Sequence, residues 1–251
     1  MTSSAIPVTP ALGAVIAALL LAAAATVAVG GIGRWRPILV AGLRGTVQLL
    51  AVALVIAYIV GSGVLIGLFL LLMLLVAAWT AGGRITAGRA RWWAAVPLVA
   101  GVAPVAGLLL LTGAVPVTGL VLIPLIGQLI GGALTATALA GRRLADELAH
   151  RRGEVEAALA LGLTDRDARM EIARPVAGTA LVPALDQTRT VGTVTLPGAF
   201  VGMLLGGAGP VEAGIVQLFV LVGLLAVEAV AIVVVLELIA RGVLEREPVR
   251  S

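Results

Sequence analysis

The sequence predicts an all-α, polytopic membrane protein of about seven transmembrane helices, with its N-terminus outside and its C-terminus in the cytoplasm. Three observations predict it. Apolar runs of about 20 residues, the length that crosses a bilayer, recur along a chain that is 61% hydrophobic with a mean hydropathy of +1.16. The loop arginines alternate: Arg34/Arg36, Arg84/Arg89/Arg91, Arg142 to Arg174 and Arg241/Arg246/Arg250 fall on one side, and the opposite loops hold none. By the positive-inside rule the arginine-bearing side is cytoplasmic. Finally, charge is dense in only one stretch, from Arg142 to Arg174, where seven Arg balance seven Asp plus Glu.

Seven spans are expected in a single domain covering residues 1–251. Span 1 (11–30) is Ala-rich. The start, MTSSAIPVTP, has no basic region ahead of it, so this run is expected to be retained rather than cleaved. GRWRP (33–37) is a short basic loop with an interfacial Trp. Span 2 (38–60) carries Arg44 and Gln48 on one face at i,i+4. Span 3 (64–79) leads into GGRITAGRARWW, whose arginines and Trp pair suit a membrane interface. Span 4 (94–111) contains Pro97 and Pro104, which predict a kink. Span 5 (119–140) holds Gln128, Thr135 and Thr137 and a GxxxG pair, Gly127 and Gly131, that lets helices approach closely. Leu144, Leu148, Val155 and Leu159 then form one stripe, as if span 5 continued past the membrane. Span 6 (176–205) contains Asp186, Arg189, the hydroxyls of Thr188, Thr190, Thr193 and Thr195, two Pro and the start of the glycine ladder Gly198/Gly202/Gly206, and its length predicts a broken or bent helix. Span 7 (213–240) carries Glu228 near its middle and Glu237 near its end.

Composition narrows the function. Aromatics are 3%, which limits stacking on bases or sugars, and the net charge of +4 is explained by topology rather than by nucleic acid. Cys is absent and His150 is the only His, so neither thiolate nor multi-His metal sites can form in one chain. Lys is absent, so no GxxxxGK[ST] phosphate loop exists; if ATP drives this protein, another chain binds it.

The cytoplasmic stretch 142–175 contains EAALALGLTDRDARMEIARP. Its small side chains from Glu154 to Leu161 let a partner approach the helix backbone. Gly162 is expected to end that helix in the left-handed conformation, and Thr164 to cap the next, with Asp165 and Asp167 near its positive end. Glu156-Ala157-Ala158, Gly162 four residues on, Ile172 and Pro175 together resemble the EAA loop of ABC-transporter permeases, with Arg174 where Leu is usual. That resemblance implies ATPase coupling through Glu156, Ala157, Ala158, Leu161 and Gly162.

RTVGTVTLPGAFVGMLLGGAGPVEAGIVQ (189–217) is similar to the signature of the FetB-type permeases, the membrane subunits of iron-export ABC transporters, to which plant aluminium-tolerance half-transporters are related. GLRGTVQL, AAWTAGGR, IPLIGQLIGGAL and EAALALG extend the resemblance, in order, from about residue 40 to 217. Two positions depart: Gly132 stands where the family usually has Asn, and Arg189 where Lys is common. The resemblance implies a multi-pass permease of the cell membrane that works as a homodimer with a separate cytoplasmic ABC ATPase. ATP and Mg would bind that ATPase and no cofactor would bind this chain.

Ionisable residues within spans are costly, about 2.5–3.5 kcal/mol at a helix centre on insertion scales, and persist where paired, wetted or used. Asp186 and Arg189 read either as a self-neutralising i,i+3 pair or as part of a polar path. Glu228 reads either as an ion-pair partner of Arg44 or as a pathway carboxylate for a hard cation, which prefers oxygen ligands. Arg44, Gln48, Gln128, Asp186, Arg189 and Glu228 are therefore the candidate pathway. Glu237 is expected to bridge to Arg241, and His150 to be a solvated loop residue. The ladder Gly198/Gly202/Gly206 is expected to pack helices within a subunit or across a dimer. Two rivals to an ATP-driven exporter stand: an ion-gradient-driven secondary transporter using Asp186 and Glu228, and a membrane scaffold with no pathway.

Overall fold

The computed structural model describes residues 9–113 and 115–244. They fall into two units dividing at Gly61–Ser62. Arg246 and Arg250 lie outside the described residues.

The first unit is a helical hairpin. α1 (Pro10–Val29) is capped by Thr9, whose Oγ1 accepts from the Leu12 N–H. α2 (Arg36–Ile59) packs on it at Gly42, where a Cβ would lie 2.6 Å from both Leu20 δ-carbons. Arg44 and Gln48 are exposed on α2, and the Arg36 guanidinium lies 5.6 Å from the Trp35 ring centre.

The second unit is organised around two long helices, α5 (Gly119–His150) and α10 (Pro210–Ala240). α3 (Gly63–Ile85), a short 3-10 helix (Gly88–Ala94) and α4 (Ala95–Thr112) precede α5. α6 (Arg152–Ala160), α7 (Asp165–Ala177), a 3-10 turn (Gly178–Leu181), α8 (Val182–Thr190) and α9 (Gly198–Leu205) lie between α5 and α10. Small residues let the long helices meet. Gly101 on α4 has no room for a Cβ, which would sit 2.6 Å from the Val227 carbonyl oxygen of α10. Gly141 on α5 seats the Ile85 side chain of α3. Leu98, Leu129, Leu221 and Val227 are fully buried at this junction.

Among the described residues, six helical segments are long and apolar enough to cross a membrane: Pro10–Val29, Arg36–Ile59, Gly63–Ile85, Gly88–Thr112, Gly119–His150 and Pro210–Ala240. The stripe from Leu144 to Leu148 does continue span 5, and α5 runs unbroken to His150. His150 is therefore the last residue of a helix rather than a loop residue. It is exposed, with Nδ1 2.7 Å from the Asp146 carbonyl oxygen one turn back. Val155 and Leu159 belong to the separate helix α6.

The stretch 176–205 is not one helix. The 3-10 turn interrupts it after Ala177, and α8 stops at Thr190. Gly192 (φ +79°) then turns the chain, its N–H donating to the Thr195 carbonyl at 2.9 Å, before Pro197 admits α9.

Two ties fix how far the chain from α7 to α9 travels along α10. Arg166 of α7 is held by Glu237, and the Phe200 N–H of α9 donates to Gln217 Oε1 at 3.2 Å. Gln217 and Glu237 are twenty residues apart on the continuous helix α10. At 1.5 Å per residue that is about 30 Å, the thickness of a hydrocarbon core. The chain from α7 to α9 thus runs alongside α10 over about that length while being helical only in pieces.

Candidate functional site

Two features stand out: a polar cavity within the second unit, and a helix that stands off its surface.

The cavity, of about 390 Å³, lies between α5, α8 and α10. Each wall is one stripe of a helix. α5 contributes Gln128, Gly131, Gly132 and Thr135; the α8 side contributes Ala180, Pro183, Ala184 and Gln187; α10 contributes Gln217, Leu221, Leu224 and Glu228. These spacings of three and four residues put each set on one face. The Glu228 carboxylate is half-buried and lies over Gly132, whose missing Cβ would be 2.9 Å from Oε1. Within its unit Glu228 makes no ion pair among the described residues. Gln217 is 4% exposed and spends its carbonyl oxygen on the first turn of α9, where Pro197 has no side-chain acceptor to offer. A buried amide on α10 thereby caps a helix seventeen residues away in sequence.

Of the expected pathway residues, the structure brings together Gln128 and Glu228. Asp186 and Arg189 do not line the cavity: they pair with each other at 3.6 Å on an exposed face of α8, with side chains 61% and 71% exposed. Gln187, one residue after Asp186, takes the cavity face. Arg44 and Gln48 belong to the first unit. Gln187 and Gln217 are absent from the sequence-based set, although the stripe Gln217-Leu221-Leu224-Glu228, spaced 4, 3 and 4, is a signal that helical periodicity carries.

The glycines expected to pack helices divide. Gly127 meets the Met73 methyl of α3, where a Cβ would be 2.9 Å away, while Gly131 opens on the cavity instead of a neighbouring helix. The ladder Gly198/Gly202/Gly206 does not pack helices within the subunit, which corrects that half of the expectation. Gly198 and Gly202 are exposed, with no atom of a neighbouring helix near their Cβ positions. Gly206 is not a rung at all, because α9 ends at Leu205. It is the exposed residue that stops the helix, its N–H donating to the Gly202 carbonyl at 2.9 Å. A Cβ at Gly206 would meet only the Gly202 and Met203 carbonyl oxygens of its own helix, both at 3.3 Å. The physical reason is length: α9 has eight residues, and a three-glycine stripe needs the helix to run on past Gly206. Among the described residues no group of three His, Asp or Glu side chains gathers.

α6 buries none of its residues. Arg151 links its start to α5 by binding both Glu147, at 3.4 Å, and Glu154. The hydrogen bond from Arg151 holds the Glu154 carboxyl below its ordinary range. Glu156 pairs with Arg152 at 3.0 Å. The Ala157 carbonyl accepts the Leu161 N–H at 3.1 Å. Gly162 (φ +93°) ends the helix: its N–H donates to Leu159 and the Leu163 N–H to Ala158, a left-handed stop that satisfies the last carbonyls. Leu161, at the tip, is 83% exposed. Thr164 then caps α7 through the Asp167 N–H. In contrast to α6, α7 is anchored. Met170, Ala173 and Ala177 pack with Ala140 and Leu144 of α5 and with Ile232, Leu236 and Ala240 of α10. Glu237 receives Arg241 at 2.6 Å, as expected, and Arg166 as well.

Six membrane-length helices, two of which line a cavity, define a multi-pass membrane protein. The chain belongs to the Uncharacterised protein family (UPF0014), whose family model matches residues 11–244. It is 36% identical over 181 residues to the UPF0014 membrane protein STAR2 of Oryza sativa subsp. japonica, covering 71% of this chain and 64% of that protein. It is 36% identical over 182 residues to the protein ALUMINUM SENSITIVE 3 of Arabidopsis thaliana, covering 71% and 66%. With the probable iron export permease protein FetB of Escherichia coli (strain K12) the identity is 28% over 194 residues, covering 76% and 75%. The match thus spans just under two thirds of the two plant relatives. No solved structure matches significantly.

Proposed function

We propose that this chain is the membrane-spanning subunit of an ATP-binding-cassette transporter that exports a metal ion such as iron, acting as a homodimer driven by a separate cytoplasmic ATPase. ATP and Mg would sit on that partner. The seventh crossing would be the broken segment beside α10, with the N-terminus outside and α6 in the cytoplasm. The observation that carries the reading is the linkage from α6 to the cavity. A helix that buries nothing, with an apolar tip at Leu161, stands on α7, and α7 packs on both helices that line the cavity. A motor gripping α6 would move α7 against α5 and α10, and so would act on the walls that hold Gln128 and Glu228. The cavity offers a carboxylate and amide oxygens, the donors a hard cation takes. The probable iron export permease among the relatives supports the choice of cargo and direction. The exposed Gly202 and the exposed Asp186–Arg189 pair, within what would be the seventh crossing, support a second copy covering them.

Gly162→Leu tests this. A side chain at φ +93° costs about 1–2 kcal/mol locally, and nothing nearby would clash, so the protein should insert while α6 loses its end. Co-purification with the cognate ATPase, and stimulation of its hydrolysis, should be lost. Undiminished ATPase coupling in that variant, or transport with no ATPase present, would overturn the reading in favour of a gradient-driven carrier.

A further inference from the structure

The first 145 residues contain eight arginines and no Asp or Glu; the remaining 106 contain nine arginines and thirteen acidic residues. The early arginines therefore have no carboxylate in their own half of the chain. Arg84, in the last turn of α3, and Arg89, on the 3-10 helix that follows, are both exposed and make no ion pair among the described residues. Arg142 is exposed next to Gly141, which seats the Ile85 side chain beside Arg84, and its Nε is used only by the Ala138 carbonyl. The third arginine of the loop is already engaged. Arg91 lies 3.7 Å from the Trp79 ring centre and donates from Nε to the Gly88 carbonyl at 2.8 Å.

The end of α3 and the 3-10 helix after it also carry three Trp rings. Trp79 and Trp92 meet at 5.1 Å, and Trp79, Trp92 and Trp93 are about half exposed at the end of a span. The platform is rigid. Gly82 of α3 lies so close to the Arg91 backbone that no Cβ could fit, which clamps the 3-10 helix onto α3. Exposed Trp rings with unpaired guanidinium groups at a helix end match the headgroup level of a bilayer, where the apolar rings meet acyl chains and the cations meet phosphate. The rings sit at the end of the membrane-length helix α3, which favours a lipid headgroup over an acidic protein surface.

We propose that Arg84, Arg89 and Arg142, together with the exposed Trp92 and Trp93, bind the phosphodiester headgroup of an anionic phospholipid, which supplies the counter-charge this half of the chain lacks. Each arginine near an anionic surface is worth about fivefold in affinity, and salt screens the effect.

The test uses the full-length protein in nanodiscs of phosphatidylcholine alone or of phosphatidylcholine with phosphatidylglycerol. The expected result is retention of phosphatidylglycerol through delipidation, read by native mass spectrometry, and a higher melting temperature in the anionic discs. Arg84→Gln with Arg89→Gln should lower retention about 25-fold and abolish the temperature difference. Arg84→Lys with Arg89→Lys should keep most of both, because the charge remains. Equal melting in the two disc types, or a Lys variant that loses as much as the Gln variant, would overturn the proposal. So would the same stabilisation from inorganic phosphate in neutral discs, or a Gln variant that retains lipid but loses a protein partner.

Discussion

Arg166 and Glu237 face each other through two parallel hydrogen bonds, Nε to Oε1 and Nη2 to Oε2, both 2.7 Å. Seventy-one residues separate them. A guanidinium fork on a carboxylate fixes orientation as well as distance, so the start of α7 is locked to the end of α10. Arg241 and Asp167 extend the cluster, at 2.6 Å to Glu237 and 2.9 Å to Arg166.

Glu237→Gln keeps the shape and removes the charge that holds both arginines. Under the transport reading it should leave α6 able to bind its ATPase but reduce transport per ATP hydrolysed by about fivefold or more, the scale of coupling between two sites. Arg166→Gln should do the same, and the double variant should be no worse than either, because the two residues act as one unit. Additive losses in that cycle would show that the pair does not transmit.

How much of the molecule is legible in its sequence follows from how local each signal is. The end of α6 at Gly162 and the cap at Thr164 need only neighbours in sequence, and both are predicted. The break in 176–205 is legible in Pro183, Pro197 and the length of the stretch. Where α9 stops is not: the regular spacing of Gly198, Gly202 and Gly206 reads as one helical stripe, and only the structure shows that the third glycine is a terminus. The Arg166–Glu237 fork is also hidden, because Glu237 already has a partner four residues away in Arg241, and nothing in the sequence brings residue 166 to the same place. Within 176–205, charge singles out Asp186, whereas helical spacing singles out Gln187, which continues the stripe Ala180, Pro183 and Ala184. Gln217 is legible only through the stripe it shares with Glu228; its role as a cap for α9 depends on a tertiary contact that no sequence spacing carries.

Gln217→Leu keeps the volume and deletes the acceptor. The Phe200 N–H then loses its partner, at a cost of about 1–3 kcal/mol. Hydrogen exchange in the first turn of α9 should speed by about fivefold or more, with the exchange of α5 unchanged. An unchanged rate at Phe200 would mean that water satisfies the N–H and that Gln217 is not a cap.

The Arg151–Glu154 pair gives α6 a pH dependence of known sign. The folded Glu154 carboxyl titrates below its ordinary value of 4.5. Its contribution is therefore fully present above that value and is lost as the pH falls through the lower, folded one. α6 should keep its start throughout the neutral range and loosen only in acid. Both groups are solvent-exposed, so the loss should be small. Hydrogen-exchange protection of the first turn of α6, followed from neutral to acidic pH against a Glu154→Gln control, checks this: the wild type should approach the variant only at the acid end.

Glu228 rests over Gly132, and the two positions should be read together. A Cβ at 132 would fall 2.6 Å from Leu224 Cδ2 and 2.9 Å from Glu228 Oε1. Both are flexible tips, so Gly132→Ala should cost stability near the low end of the range for overpacking, about 1 kcal/mol, while pushing the carboxylate across the cavity. Glu228→Gln removes the only carboxylate lining that cavity among the described residues, and a charged contact of this kind is worth about 1.5–3 kcal/mol, or ten- to a hundredfold in affinity. If the cargo is a cation held there, Glu228→Gln should weaken its binding by about that factor, and Gly132→Ala by less. Gly132→Asn, which installs the amide that the resembling family usually carries, would add an oxygen ligand beside the displaced carboxylate and should change which cation is preferred. Binding measured by calorimetry on protein in neutral nanodiscs separates the cases. Equal cation affinity in the wild type and Glu228→Gln would remove the carboxylate from the pathway and leave the cavity to a neutral polar cargo held by Gln128 and Gln187.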